Sequence, residues 1–380
     1  MKLELVAIAL CFSVSNALDT MSNIGYLGNG YDMFRGCPRP TSTPLDPGFA
    51  SPVFDVTNYT KNRQTADHLY NVPDNSHVLK CQACQLNLKV DISESVDEYR
   101  KSLNEMMTWG AGIAIPKRDK DNNEGKSRIA RRNRRAGNQG KDDNIAIGIA
   151  FSGSDEMHYA YESFKEKKQV YTEGFAACAV YCAELELFDS AGETALSTNF
   201  INAVKSLSLD SEESFYSVLT SFGTHFVSSM KMGSLFYQRH IFTEEQWTTM
   251  LSESDKDGFS FEANIVVIGG SYKEDNSASQ YKFSNASSKS ESLIEFSRGA
   301  PPGKDVSEWI SQSLKAPMPI YTGVQPISSL LNEFYFPTVS NIDAKRDMWE
   351  KLIEDGSYCN HQMKISGKDG DCSAYFSSSR

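Results

Sequence analysis

Strand-like and helix-like hydrophobic patterns alternate along this chain. Val78 to Val90, Tyr171 to Leu187, His225 to Phe242 and Ser290 to Arg298 read as four long strands. Between the first two, Val96, Tyr99, Leu103, Met106 and Met107 repeat at helical spacing behind a capping box at Ser95–Glu98. That predicts a helix over Asp91–Trp109, and a second helical patch follows at Tyr161–Lys168. Phe200, Val204 and Leu207, then Phe215, Val218, Leu219 and Phe222, mark two more helices. Thr243–Gln246 caps a short one, and Asp343–Glu354 closes the series before Gly356. Gly25 to Pro73 is rich in Gly, Pro, Asn and Thr and reads as an extended, looping segment. No repeat of solenoid period is present.

Two shorter runs carry a cleaner alternation. From Ile145 to Ser152, the odd positions Ile145, Ile147, Ile149 and Phe151 are large and apolar, and every even position is small. From Phe259 to Val267 the odd positions are again apolar (Phe259, Phe261, Ala263, Ile265, Val267), while Ser260, Glu262 and Asn264 are small or polar. Strand side chains point to opposite faces with period two, so each run has one greasy face and one small or polar face. A half-buried strand of an ordinary sheet fits that pattern. So does a membrane strand, which needs about 9–11 such residues with lipid on one face and water on the other. Each run shares its inter-strand segment with a helix and is flanked by polar sequence that tolerates refolding, notably Asn276 to Ser290. These flanks favour the membrane reading.

Charge and cysteine usage narrow the class. The 380 residues carry a net charge of −11, which argues against a nucleic-acid binder and leaves attraction to acidic lipid to a local patch. Met1-Lys2, the apolar run Leu5–Val14 and the small residues around Ala17 have the layout of a signal peptide, giving an expected mature start at Leu18. No later run approaches the ~20 apolar residues of a membrane helix, and the polar end Phe376–Arg380 lacks a lipid-anchor signal. A secreted chain is expected. Cys37, Cys81, Cys84, Cys178, Cys182, Cys359 and Cys372 then remain, mostly as disulfides, with one left over. The nearness of Cys359 to Cys372 suggests that they pair. Cys81-Gln-Ala-Cys84 lacks the second ligand pair of a zinc site and sits on a strand rather than at the helix start a redox motif prefers, so no metal or other cofactor is expected. Asn58 and Asn285 head glycosylation sequons. His225 has no nucleophile elbow, HExxH or P-loop to work with, and Gly28 and Gly30 are followed by Met33 rather than a third glycine. The histidine reads as structural, and the chain as a non-enzyme.

Phe222-Gly223-Thr224-His225-Phe226 resembles the aromatic-Gly-Thr-His-aromatic signature of membrane-attack-complex/perforin (MACPF) domains. Other landmarks follow in the family's order: Gly28–Asp32 and Asp46–Phe49 before the signature, then Trp309, Pro317–Ile320, Pro326-Ile327 and Leu330-Leu331 after it. The resemblance spans Gly25 to Tyr358. It implies an α+β, MACPF/cholesterol-dependent-cytolysin-like fold: a bent four-stranded antiparallel sheet flanked by two helical clusters that can refold to β-hairpins on oligomerisation. The family has a glycine pair at the sheet bend. Here only Gly233 is kept and Ser234 follows it, which puts the bend's flexibility in question.

What the resemblance implies for organisation is a domain over 18–358, with clusters at about 94–168 and 243–289 and a short tail at 359–380. Ile145, Ile147, Ile149, Phe151, Phe259, Phe261, Ile265 and Val267 are then expected to face lipid, and Ser260, Glu262 and Asn264 the lumen of a barrel shared by a homo-oligomer. The basic run Lys126–Arg135, with Arg131, Arg132, Arg134 and Arg135 at its densest, fits three readings: a hairpin tip against lipid phosphates, a dibasic protease site, or a solvated loop. Its charge resists crossing a bilayer, so a non-lytic role in adhesion, signalling or assembly is the rival expectation. With only a short tail after the domain, target recognition is expected within the domain, in a partner chain, or in sequence beyond the 380 residues.

Overall fold

Long runs of β-branched and aromatic residues pair into one antiparallel sheet, and the segments between them supply helices that cover it. The computed structural model describes residues 18–39, 45–111, 151, 153–188, 195–249, 265–268, 271–272, 290–302, 306–367 and 372. In chain order the elements are β1 (Asn29–Tyr31), β2 (Phe49–Pro52), β3 (Ser76–Ser93) and α1 (Val96–Ala111). Next come α2 (Asp155–Tyr161), running into a π-helical turn at Glu162–Glu166, and β4 (Gln169–Leu185). Then follow α3 (Thr198–Ser206), α4 (Glu212–Phe222), β5 (His225–Thr243), β6 (Ile265–Ile268), β7 (Ser271–Tyr272) and β8 (Ser292–Arg298). The series ends with α5 (Val306–Lys315), β9 (Met318–Pro326), α6 (Ile342–Glu354) and α7 (Ser357–Ile365).

β3, β4 and β5 form three adjacent lanes, with Ser93 opposite Tyr171 and Gln169 opposite Thr243 at one end. The fourth lane, beside β5, is divided. β8 pairs with Leu235–Ile241, and β9 pairs with His225–Gly233. The sequence pattern predicts one fourth strand ending at Arg298; the structure resumes the lane in β9 after α5. Gly299, at φ +77, turns the chain out of the sheet at that point. Pairing shifts lie side by side across the lanes, at Lys80/Ala83 in β3, Ala179/Tyr181 in β4 and Lys231/Met232 in β5. Bulges bend and twist strands, and at this level three neighbouring strands carry one each.

Nearly every residue of β4 from Val170 to Ala183 is buried, which requires cover on both faces. Trp309 of α5, Trp349 of α6 and Tyr358 of α7 are fully buried in the main core. Helix α1 starts at Val96, five residues later than its pattern suggests. Asp91, Ile92 and Ser93 are instead claimed by β3, opposite Glu173, Thr172 and Tyr171. Half of its capping box is present: Ser95 Oγ accepts from the Glu98 amide at 3.3 Å, while Glu98 reaches one residue further back, to the Glu94 amide at 2.8 Å. Helix α7, unassigned in the sequence pattern, runs through the expected start of the tail at 359. It buries Tyr358, Cys359 and Met363.

Candidate functional site

The signature residues form a clasp between the start of β5 and the N-terminal segment. Phe222 ends α4, and Gly223 caps it at φ +78 with its N–H on Leu219 O at 2.7 Å. A Cβ on Gly223 would lie 2.4 Å from the Tyr31 carbonyl carbon. Glycine is required there twice, for the backbone angle and for the approach. The Thr224 amide donates to Tyr31 O, and its buried hydroxyl accepts from the Met33 amide at 3.2 Å. Gly30 pairs with Phe226, and a Cβ on Gly30 would fall 1.8 Å from Phe222 O. Phe226 packs on Phe54, and Phe222 on Phe200. The ring of His225 meets the Thr224 hydroxyl at 2.8 Å, and burial lowers its pKa to about 4, so it is neutral at pH 7.

The two N-terminal motifs complete the clasp. Tyr31 donates its hydroxyl to Asp46 at 2.7 Å, and Asp46 also accepts from the amides of Cys37 and Gly48. Asp32 accepts from the Phe34 amide and from the Tyr358 hydroxyl of α7 at 2.9 Å. Burial raises the Asp32 carboxyl to about 6. These groups are engaged in structural hydrogen bonds, and what they fix is the origin of β5.

At the far end of the sheet, a buried charged row holds the first helical cluster. Asp91, Glu173 and Arg239 are direct cross-strand neighbours on β3, β4 and β5. Arg239, fully buried, donates Nε to Glu173 at 2.8 Å, Nη2 to the Tyr99 hydroxyl of α1 at 2.7 Å, and Nη1 to Glu156 of α2. The rings of Tyr99, Tyr171 and Tyr237 lie 4.5–5.6 Å from its guanidinium carbon. Arg39 bridges the two adjacent carboxylates, reaching Glu173 at 3.0 Å and Asp91 at 2.7 Å, while Ser102 of α1 donates to Asp91. Sequence reasoning misses this network. Its visible trace is Arg239 and Glu173 inside otherwise apolar strand runs, where a charge demands a partner.

The second cluster begins with a helical turn at residues 244–249, where Thr243 and Gln246 cap one another. Trp247 packs on Phe242 and donates Nε1 to Glu94 at 2.7 Å. Strand β6 lies on the outer edge of β3, where Ile265 and Val266 pair with Leu88 and Asn87. That edge lies three lanes from β8, where the segment ends.

The expected site residues separate accordingly. Phe222–Phe226 form the clasp, and Gly233 lies at the level of the pairing shifts, where a Cβ on it would be 1.9 Å from Cys178 O. Ile265 and Val267 lie on strand β6. Phe151 is buried at a turn with φ 68, its amide on Met33 O. Ile145, Ile147, Ile149, Phe259, Ser260, Phe261, Glu262, Asn264, Arg131, Arg132, Arg134, Arg135 and Asn285 lie outside the described residues, as do residues 1–17. Asn58 is exposed in the loop before β3. Cys359 bonds to Cys372, Cys81 to Cys182 and Cys84 to Cys178, and the remaining described thiol, Cys37, is buried. No group of three metal-ligating side chains occurs among the described residues, and no helix among them is long and apolar enough to cross a membrane.

A family model described as the MAC/Perforin domain matches residues 16–354. Among solved structures, the chain is similar to GNIP1Aa from Chromobacterium piscinae, with a TM-score of 0.54 and 15% identity over 92% of this chain and 57% of that one. It is similar as well to a protein with a MAC/Perforin domain from Bacteroides thetaiotaomicron, at a TM-score of 0.47 and 13% identity over 90% of this chain and 63% of that one. A third is the vertebrate protein Astrotactin-2, described as perforin-like, at 0.41 and 12% over 89% and 46%. The chain thus spans 46–63% of the length of these structures. No curated protein sequence matches it.

Proposed function

This chain belongs to the MAC/perforin domain family, and from that premise we propose that it is a secreted pore former that oligomerises on a target membrane and inserts two amphipathic β-hairpins per subunit. One observation carries the reading. The lanes run β3, β4, β5, β8, and the two segments in question join β3 to β4 and β5 to β8 at the same end of the sheet, where Ser93 faces Tyr171, Gln169 faces Thr243, and Ile241 faces Ser292. Each segment can therefore extend two lanes of the sheet, and the two hairpins emerge side by side. Hairpins from neighbouring subunits then close a barrel, which satisfies the backbone groups that lipid cannot.

In this reading Ile145, Ile147, Ile149, Phe151, Phe259, Phe261, Ile265 and Val267 turn to lipid, and Ser260, Glu262 and Asn264 to the lumen. Phe151 exchanges one apolar environment for another. The basic run around Arg131–Arg135 meets lipid phosphates at the hairpin tip or is cut beforehand, and Asn58 and Asn285 accept glycans. Three disulfides are in keeping with an extracellular protein. The test is dye release from liposomes of phosphatidylcholine, phosphatidylserine and sterol, by protein starting at Leu18, with and without cleavage after Arg135. Release accompanied by ring- or arc-shaped oligomers is expected. Intact liposomes beside demonstrably folded protein would favour the non-lytic adhesion, signalling or assembly role, or one that needs a partner chain.

A further inference from the structure

Ser234 stands where the family pattern has a second glycine, and it is fully buried. It occupies the one position of β5 between the stretch paired with β9, which ends at Gly233–Met318, and the stretch paired with β8, which starts at Leu235–Arg298. Opposite it the chain leaves the sheet after Arg298 and rejoins it at Met318, with α5 in between. The Ser234 hydroxyl oxygen accepts from the Ala300 amide at 2.9 Å, where this excursion departs. It also accepts from the Ser313 hydroxyl at 2.8 Å, near the end of α5, and Ser313 is itself fully buried. A hydroxyl oxygen has two acceptor sites, and both are used. Helix α5 is otherwise seated by Trp309, whose Nε1–H donates to Ala300 O at 3.0 Å, and by the Tyr70 hydroxyl, which donates to Leu314 O at 2.6 Å.

The same level of the sheet is held covalently on its other side. Cys81–Cys182 and Cys84–Cys178 join β3 to β4 at their pairing shifts. A change in curvature cannot be absorbed by sliding β3 along β4. That leaves the β4–β5 pairing and the junction of β5 with the divided fourth lane, and at this junction two neutral hydrogen bonds converge on one oxygen.

We propose that Ser234 is the latch of the bend: its hydroxyl holds α5 and the 299–300 turn against β5, and the release of those two bonds precedes the change in curvature that hairpin insertion requires. The second half of this proposal rests on the pore-forming reading. Ser234→Ala removes both bonds, Ser313→Ala removes one and spares the strand, and Ser234→Gly restores the family residue. In the soluble protein, Ser234→Ala should speed amide exchange at Ala300 and through residues 306–315 by about 5- to 30-fold, the effect of losing two such bonds. Ser313→Ala should give a smaller rise, and none when added to Ser234→Ala, because its bond goes to the same oxygen. Dye release should accelerate in the same order.

Unchanged exchange in Ser234→Ala, or in Ser313→Ala should the former fail to fold, would overturn the latch. Faster exchange with an unchanged release rate would show that the latch is not on the insertion path. If the wild type itself releases no dye while exchange responds as expected, the latch stands and the pore-forming reading fails.

Discussion

Arg239→Met should cost the fold about 3–5 kcal/mol, the range found when one member of a buried ion pair is removed. The guanidinium is fully buried and serves Glu173, also fully buried, together with Glu156 and the Tyr99 hydroxyl. Methionine fills much of the same volume, so the loss is chiefly electrostatic. Arg39 would still reach Glu173 and Asp91, but the charge that Arg239 sets between Glu173 and Glu156 would be gone. A domain of ordinary stability has about 5–15 kcal/mol in hand, so the variant should remain folded in the cold with a much lower urea midpoint. A second variant separates charge from packing. Adding Glu173→Gln and Glu156→Gln to Arg239→Met removes the two carboxylates that Arg239 had paired and should recover a large part of the loss, since replacing a whole buried ion pair is often close to neutral. The assay is equilibrium urea unfolding at pH 7, paired with limited proteolysis of the 94–168 segment, whose anchors Tyr99 and Glu156 the substitution releases. A cost below about 1 kcal/mol, or a multiple variant no better than Arg239→Met alone, would refute the view that this row holds the first cluster.

Burial places His225 and His240 at about 4 against an ordinary 6.5, so their share of stability is full above pH 6.5 and is lost as pH falls toward 4. Asp32, raised from 3.8 to about 6 by burial, works the other way: it favours the fold at acid pH, and that contribution is lost as pH rises through 6. Asp46 is raised by burial too and acts in the same sense as Asp32, so the histidine share is read by substitution: His225→Gln or His240→Gln should lessen any fall of the urea midpoint between pH 6.5 and 4, and an unchanged slope would contradict this. Gly233→Ala forces a Cβ to within 1.9 Å of Cys178 O and should cost about 3 kcal/mol or more, whereas Gly25→Ala, with nothing within 4 Å, should change the thermal midpoint little. Cys81–Cys182 and Cys84–Cys178 close nearly the same loop, with sequence separations of 101 and 94. Replacing one pair by Ala should therefore cost little and replacing both about 4–5 kcal/mol, a non-additivity visible in urea unfolding; additive losses would argue against redundant loops.

The four lanes are legible in the sequence because long apolar runs rich in aromatic and β-branched residues, such as Phe226-Val227 and Leu235 to Tyr237 in β5, have few other ways to be buried. The clasp is legible because Gly223 and Gly30 leave a local signature. What the sequence hides depends on contacts between distant residues. The division of the fourth lane turns on Gly299, whose single left-handed angle leaves no mark in the hydrophobic pattern. The pairing of Cys81 with Cys182 and of Cys84 with Cys178 follows from the register of β3 against β4, which cysteine spacing alone does not supply. Arg39 lies in a stretch that reads as featureless loop, yet it neutralises two carboxylates from different strands. Helix α7 escapes the pattern because its buried face, Tyr358, Cys359, Gln362 and Met363, mixes polar and apolar residues.

The most direct test of hairpin insertion is to lock β6 to the edge of β3. Leu88 and Ile265 are register partners, so Leu88→Cys with Ile265→Cys can form a cross-strand disulfide, and each single substitution serves as its control. Dye release from the same liposomes is the readout, with the disulfide confirmed by mass spectrometry. Insertion predicts that both single variants release dye while the oxidised double variant binds the liposomes and releases none. Release by the oxidised double variant at the rate of the single ones would contradict it, because the second segment would then have stayed on β3 while the pore opened.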